Sequence, residues 1–162
     1  MAKSEFAQLR QQYEILDHTA DVMFSARHET IEGCLQGAVC ALGDLVSDRS
    51  NVEPKVEVEI NIEVQSSQEM MIHSFLDEVI FIISTQQFIP YCFRPSDSET
   101  RKTGFNTDKK LSISGKLIGD YWKNDKANYT HGTEAKAIPF QSLLNSCDVE
   151  NKCHTIQFIV DV

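Results

Sequence analysis

Two acidic residues, Asp21 and Asp161, stand out because each lies at the end of an alternating segment typical of a β-strand. A carboxylate at a strand end can face a cleft, and Asp161 is followed by Val162, whose α-carboxylate would be a third anion. If the first and last strands are neighbours, these oxygen ligands converge, and they favour Ca²⁺, Mg²⁺ or Mn²⁺ over zinc. Taken from the residues alone, the alternative is that both acids are ordinary surface charges.

Histidine and cysteine offer weaker candidates. His18 could be a general base, but a role in capping the first strand is favoured because no nucleophile stands beside it. Cys147, Cys153 and His154 could bind zinc, yet their spacing lacks the usual second pair of ligands. His73 falls inside a helical pattern and is interpreted as a packed or surface side chain.

The remaining pattern predicts the elements that must position these residues. Alternation predicts strands at 21–26, 56–64, 88–94, 110–117, 133–138 and 155–162, and the 3.6-residue period predicts helices at 30–46 and from a capping box at 66–69 to residue 86. Loops are expected at 95–108 and 119–132, and a turn region at 145–152. Thr30 should cap the first helix, Pro90 should place its strand at a sheet edge, and the apolar run 79–83 should be deeply buried.

This order predicts an α+β fold in which two helices pack on largely antiparallel β-sheet layers. We expect residues 1–12 to form a polar N-terminal tail and residues 13–162 a single domain. No apolar run is long enough to span a membrane. The five cysteines contain no C-x-x-C pair, and no secretion signal is evident, so reduced thiols in an intracellular, cytoplasmic or nuclear protein are expected.

Charge restricts the partners. The formal net charge of the 162 residues is −9, and no basic stripe is present. Neutralisation of phosphates supplies most of the affinity of nucleic-acid-binding proteins, so strong direct binding to nucleic acid is not expected. A basic protein or a cation is the more suitable partner.

Four short motifs in order resemble those of the archease family. They are His-Thr-Ala-Asp-Val at 18–22, Ile-His-Ser-Phe-Leu-Asp-Glu at 72–78, Gly-Thr-Glu-Ala-Lys-Ala-Ile at 132–138 and Val-Asp-Val at 160–162. The resemblance covers residues 13–162, which is nearly the whole chain. One departure is that Lys126 is followed by alanine where archeases carry a Lys-His pair, the nearest histidine being His131.

The resemblance implies a metal site and a set of partner contacts. In archeases the Asp of the first motif, the penultimate Asp and the terminal carboxylate bind a divalent cation, which corresponds here to Asp21, Asp161 and Val162. Ca²⁺ is the expected ion, with Mg²⁺ or Mn²⁺ as alternatives. Asp17, His18 and Glu134 lie within or beside the motifs and are candidate partner contacts.

The resemblance further implies a non-catalytic protein cofactor of the RtcB-type RNA ligase, which joins RNA ends in tRNA splicing with GTP and Mn²⁺. Its expected role is to promote guanylylation and multiple turnover of that ligase. Two alternatives remain open: a small metal-dependent hydrolase that uses His18, and a free-standing metal-binding chaperone. Against the hydrolase, the sequence has no Gly-rich phosphate loop and no nucleophile motif.

A first prediction concerns RNA. Because the chain is strongly acidic, the isolated protein should bind tRNA weakly at physiological salt. Fluorescence anisotropy with labelled tRNA checks this. Tight binding that weakens steeply with added salt would contradict the prediction.

Overall fold

The computed structural model describes residues 13–16, 21–96 and 110–162, so the predicted 1–12 tail, Asp17, His18 and most of the predicted 95–108 loop lie outside the described residues. The strands are β1 Tyr13–Leu16, β2 Val22–His28, β3 Val56–Val64, β4 Phe88–Pro95, β5 Leu111–Tyr121, β6 Leu144–Asp148 and β7 Cys153–Val160, and the helices are α1 Ile31–Val46 and α2 Gln68–Gln86. Short 3₁₀ turns occupy Arg49–Asn51, Trp122–Asp125 and Phe140–Ser142.

Two antiparallel sheets carry these strands. Sheet A has the order β1-β2-β7-β6 and sheet B the order β3-β5-β4. Helix α1 contacts β1, β2 and β7 of sheet A and also β4 of sheet B, whereas α2 packs on the three strands of sheet B. The predicted α+β class with two helices on antiparallel sheets is confirmed.

Helix α1 is the central element. Its predicted N-cap is confirmed, because the Thr30 side chain accepts a hydrogen bond from the Gly33 amide at 3.1 Å. Most of the helix is buried, including glycine and alanine positions that allow close packing. At Gly43 the helix approaches strand β4 so closely that a Cβ atom would lie 2.2 Å from the Pro90 carbonyl oxygen.

Helix α2 corrects two predictions. Its N-cap is Ser67, whose side chain accepts from the Met70 amide, so the cap lies one residue later than predicted and the capping box predicted at 66–69 does not form, because the N3 residue is Met70. The apolar run 79–83 is buried except for Phe81, which is 58% exposed. Periodicity explains the exception, since Phe81 falls on the outer face of the helix with Asp77 and Glu78.

Sheet B is covered on both faces at strand β4, whereas a sheet in a two-layer fold needs to be covered on one face only. Strand β4 is at the sheet edge, as Pro90 predicted, yet both of its faces are buried. Its outer face, with that of β5, belongs to a second small core that includes Val52 and Tyr129. Strand β5 also continues to Tyr121, past the predicted end at 117, so the loop predicted at 119–132 begins three residues later.

Three predictions at the sheet A side need correction. Residues 133–138 do not form a strand and make only an isolated bridge, between Ala137 and Asp161. Strand β6 forms within the region predicted as a turn, and β1 was not predicted at all. Both missed strands are short and have exposed apolar residues, Ile15 and Leu144, so their alternation is weak. None of the helices described is long and apolar enough to cross a membrane.

A second prediction tests the α1–β4 contact. Helix propensity alone would make Gly43→Ala more stable by about 1 kcal/mol. The overlap with the Pro90 carbonyl should instead lower the free energy of unfolding by about 1–3 kcal/mol, as measured by urea denaturation.

The matched comparison is Gly33→Ala in the same helix. The atoms that a Cβ would meet there belong to the His28 side chain, which can change rotamer, so the loss of stability should be smaller. A Gly43→Ala protein more stable than the native chain would show that the backbone relaxes without cost.

Candidate functional site

The site begins with the pairing of β2 and β7, which brings the first and last motifs together. Val22 and Val160 are Cα partners in this ladder. Asp21 immediately precedes Val22 and Asp161 immediately follows Val160, so the same register carried one residue further places Asp21 opposite Asp161. Both are partly buried. Strands β2 and β7 are therefore neighbours, which is the condition on which the predicted convergence of Asp21 and Asp161 depended.

Strand alternation predicts that both acids share one face. Met23 and Ile159 are cross-strand partners, and alternation continued past the end of the ladder would place Asp21 on the side of Met23 and Asp161 on the side of Ile159. Directly opposed side chains on one face have Cβ atoms about 4.5–5.5 Å apart. Two carboxylates in this arrangement repel each other and can share a cation.

The donor set fits a hard cation. Among the described residues, neither the Asp21 nor the Asp161 side chain forms an ion pair or hydrogen bond that would occupy its oxygens. No group of three or more His, Cys, Asp or Glu side chains suited to a metal occurs in the described part of the chain. The two carboxylates would thus need a further ligand, and Val162, which is 37% exposed, adjoins Asp161. The three-ligand set stays a prediction.

Asp161 is also joined to the third motif through the backbone. Its amide donates to the Ala137 carbonyl at 2.8 Å, and its carbonyl accepts from the Lys136 amide at 2.8 Å. Glu134, the predicted partner contact on this segment, is exposed two residues before Lys136. Glu134 therefore lies close along the chain to the residues that hold the Asp161 backbone.

The glycine that opens the third motif has a structural reason. The Gly132 and Thr133 amides donate to the Val46 and Leu45 carbonyls at 2.8 and 2.9 Å. These carbonyls lie at the end of α1, where they have no hydrogen-bond partner within the helix. A Cβ on Gly132 would lie 2.5 Å from the Leu45 carbonyl oxygen. Only glycine allows this approach, so the motif attaches its own segment to α1.

The second motif holds the same segment from its other end. His73 Nε2 lies 2.6 Å from the Ile138 carbonyl oxygen, Nδ1 lies 3.6 Å from an Asp77 carboxylate oxygen, and the ring makes an edge contact with Phe140. His73 is thus a packed side chain, as predicted, and it fixes the position of residue 138. Asp17 and His18 cannot be placed because they lie outside the described residues.

The zinc candidate gains no support. Cys147 is exposed on β6 with its Cα opposite His154, and Cys153 is only partly buried. Cys147, Cys153 and His154 do not form a metal-suited group among the described residues.

Sequence reasoning missed a buried carboxylate in the region it assigned to a loop. Asp120 is fully buried and accepts hydrogen bonds from the Tyr129 hydroxyl at 2.7 Å, the Asn124 amide group at 2.6 Å and the Tyr121 backbone amide at 2.9 Å. Burial, reinforced by the bond to Asp120, raises the pKa of Tyr129 to about 12. The network orders residues 120–130 against sheet B. The only sequence signal was the density of Asp, Asn and Tyr around residue 120.

A second missed group links β1 to α1. The Tyr13 hydroxyl donates to Asp44, and Arg49, almost fully buried, lies 3.5 Å from the same carboxylate. The guanidinium also donates to the Tyr91 carbonyl at 2.9 Å and stacks over the Tyr91 ring. Burial, with the bond to Asp44 adding to it, raises the pKa of Tyr13. These contacts are interpreted as structural because every member faces another part of the core.

Curated relatives match most of this chain over most of their own length. Protein archease of Ictalurus punctatus is 28% identical over 91% of this chain and 85% of its own length. Protein archease of Aeropyrum pernix is 27% identical over 90% and 94%, respectively. A protein named archease-like from Dictyostelium discoideum is 29% identical over 81% and 82%.

Structural comparison agrees on the fold. The solution structure of Methanobacterium thermoautotrophicum protein 1598 matches with a TM-score of 0.68, covering 93% of this chain and 99% of that one at 22% identity. The model of the Archease protein family matches residues 13–162, which includes every motif and both sheets described above. The chain belongs to the archease family.

Proposed function

We propose that this chain is a non-catalytic, metal-binding protein cofactor of an RtcB-type RNA ligase. The observation that supports a metal site is the β2–β7 register, in which Val22 and Val160, the neighbours of Asp21 and Asp161, are paired at the end of the ladder. The α-carboxylate of Val162 is the third proposed ligand where Val162 ends the chain. Ca²⁺ is the proposed ion, with Mg²⁺ or Mn²⁺ as alternatives, because all the donors are hard oxygens.

The bound cation would neutralise the negative charge of the two carboxylates. It would offset the repulsion between the two carboxylates and pin the ends of β2 and β7 to each other. The chain's own contribution is positional, since the ladder sets the two side chains opposite each other and residues 136–137 fix the Asp161 backbone.

Partnership with the ligase is supported by membership of the family and by charge. A chain of net charge −9 is steered towards a basic, RNA-handling enzyme and gains association rate from complementary potentials. The proposed role is to promote guanylylation and multiple turnover of the ligase during tRNA splicing. The names of the relatives compared above contain no enzyme activity, in keeping with a non-catalytic role.

A third prediction tests the metal site. Titration with CaCl₂ should raise the free energy of unfolding of the native protein in proportion to the logarithm of free Ca²⁺, by about 2.7 kcal/mol at 100 times the Kd. The melting temperature should rise by about 2–4 °C for each kcal/mol in a domain of this size. Asp21→Asn, Asp161→Asn and an extension beyond Val162 should each abolish this response. With EDTA, both Asn variants should melt slightly higher than the native chain because the carboxylate repulsion is relieved.

The matched control is Glu150→Gln, which makes the same charge change in the exposed turn that precedes β7. It should keep the full calcium response. An extended protein that responds to calcium like the native chain would remove the Val162 carboxylate from the site, and Asn variants that respond normally would remove the metal site itself.

A fourth prediction tests the partnership. With a single-turnover RtcB-type ligase, GTP and Mn²⁺, equimolar native protein should raise the number of RNA ends joined per ligase well above one. The Asp161→Asn protein should lose this effect and the Glu150→Gln protein should keep it. The measurement is the yield of joined RNA over time on a denaturing gel.

The alternatives give different results. A hydrolase would consume a phosphate ester or nucleotide without any ligase, and that activity would require Asp21 or Asp161. A free-standing metal-binding chaperone would show the calcium response but would leave ligase turnover unchanged. An unchanged turnover with native protein would contradict the proposed function.

A further inference from the structure

A groove of about 700 Å³ runs between helix α2 and residues 134–136. Its floor contains Ile62 and Ile80, and its α2 wall presents Ser74, Asp77, Glu78, Phe81 and Ser84. The opposite wall is the segment that carries Glu134. A second hollow of about 330 Å³ shares Ser84, Glu134 and Ala135 with it and is also lined by Trp122 and His131.

Phe81 is the distinctive feature of this groove. It is 58% exposed although Ile80 and Ile82 beside it are buried. Its position is fixed by the helix, which is well ordered by its buried stripe. A large aromatic ring held in water at the wall of a groove is the kind of residue that contributes most to protein–protein binding.

Three carboxylates line the same groove as this ring. Asp77 and Glu78 lie one helical turn before Phe81, on the same face, and Glu134 lies on the opposite wall. Lys136 is the one cationic residue among the described residues that line the groove. The lining is therefore net negative as well as apolar.

The walls are also rigid. The segment with Glu134 is fixed to α1 through Gly132 and Thr133 and to α2 through the His73 contact with Ile138. A groove with both walls held in place loses little conformational entropy when a ligand binds.

We propose that this groove binds an arginine-bearing segment of a basic partner protein. A guanidinium can stack on the Phe81 ring and at the same time donate two parallel hydrogen bonds to a neighbouring carboxylate. The aliphatic part of the arginine side chain would lie over Ile62 and Ile80. The proposal rests on the proposed function in one respect, namely that the partner is the RNA ligase.

Charge favours this occupant over two others. A second copy of the chain would bring a net charge of −9 to an acidic groove. RNA would bring phosphates against Asp77, Glu78 and Glu134. Each of these would be repelled, whereas a cationic segment is attracted.

The experiment measures binding of two probes to purified full-length protein by fluorescence anisotropy. One is the RtcB-type ligase, and the other is a labelled decapeptide with two arginines and two leucines, compared with the same peptide carrying citrulline for arginine. Phe81→Ala and Glu134→Gln should each weaken binding of the ligase and of the arginine peptide by about tenfold. The citrulline peptide should bind at least that much more weakly to the native chain.

Controls come from the same chain. Leu144→Ala removes an equally exposed apolar side chain on β6, and Glu150→Gln removes an exposed acid, both away from the groove. They should bind both probes like the native protein. Because Phe81 is exposed, Phe81→Ala should keep the native melting temperature, and it should keep the calcium response.

The outcomes separate the groove from the proposed function. Equal affinity of Phe81→Ala, Glu134→Gln and native protein for the probes overturns the groove, even if the native chain stimulates the ligase. Loss of arginine-peptide binding in the two variants, with no effect of native protein on ligase turnover, supports the groove and removes the ligase as its partner. Equal binding of arginine and citrulline peptides overturns the proposal that a guanidinium is recognised.

Discussion

The antiparallel pairing of β2 with β7 is the constraint on which the rest of this molecule depends. Its register is enforced from the core, because Phe24 and Phe158 are cross-strand partners, both buried, with ring centroids 5.5 Å apart. A slip of one residue would turn every side chain of one strand to the opposite face and expose one of these rings. The same register, continued by one residue, brings Asp21 opposite Asp161. The packing of two phenylalanines thus fixes the strand pairing on which the proposed carboxylate pair depends.

The segment from residue 130 to 138 connects this carboxylate pair to the remainder of the fold. It has little regular structure, yet its backbone groups are bonded to the end of α1, to His73 on α2 and to Asp161. Ser47 adds a hydrogen bond to the Thr130 carbonyl at 2.6 Å, and Trp122 donates to the same oxygen. The second, third and fourth motifs therefore share one set of contacts, and the pairing of Val22 with Val160 joins the described end of the first motif to the fourth.

Sequence reasoning succeeded where one face of an element is buried. Strand β3 was placed at its observed bounds because its valines and isoleucines alternate strictly with polar residues, and the Thr30 cap fixed the start of α1. It failed where burial did not follow a period. Strand β6 has one partly buried residue among five, and β5 ends in a segment whose Asp120 is buried by hydrogen bonds and not by hydrophobicity.

The candidate site divides in the same way. Asp21, Asp161 and Glu134 were identified through the family motifs, and the pairing of the first and last strands could only be stated as a condition. Their placement depends on the long-range β2–β7 register, which local patterns do not determine. The groove was not predicted, because the apolar run 79–83 was expected to be buried as a whole, although the helical period places Phe81 on the face of Asp77 and Glu78. The opposite wall of the groove comes from residues 134–136, and their position beside α2 depends on long-range contacts.

The carboxylate pair and the groove are coupled by geometry. Lys136 lines the groove through its side chain while its backbone amide binds the Asp161 carbonyl, so a partner held in the groove would lie beside the ends of β2 and β7. Opposed carboxylates at that point cost stability unless a cation is shared. The proposed site would therefore be retained at the expense of the fold, which is typical of functional positions. A basic partner placed next to it would meet a cation or a free carboxylate according to metal occupancy, and the affinity of the two chains should therefore depend on the concentration of free divalent metal.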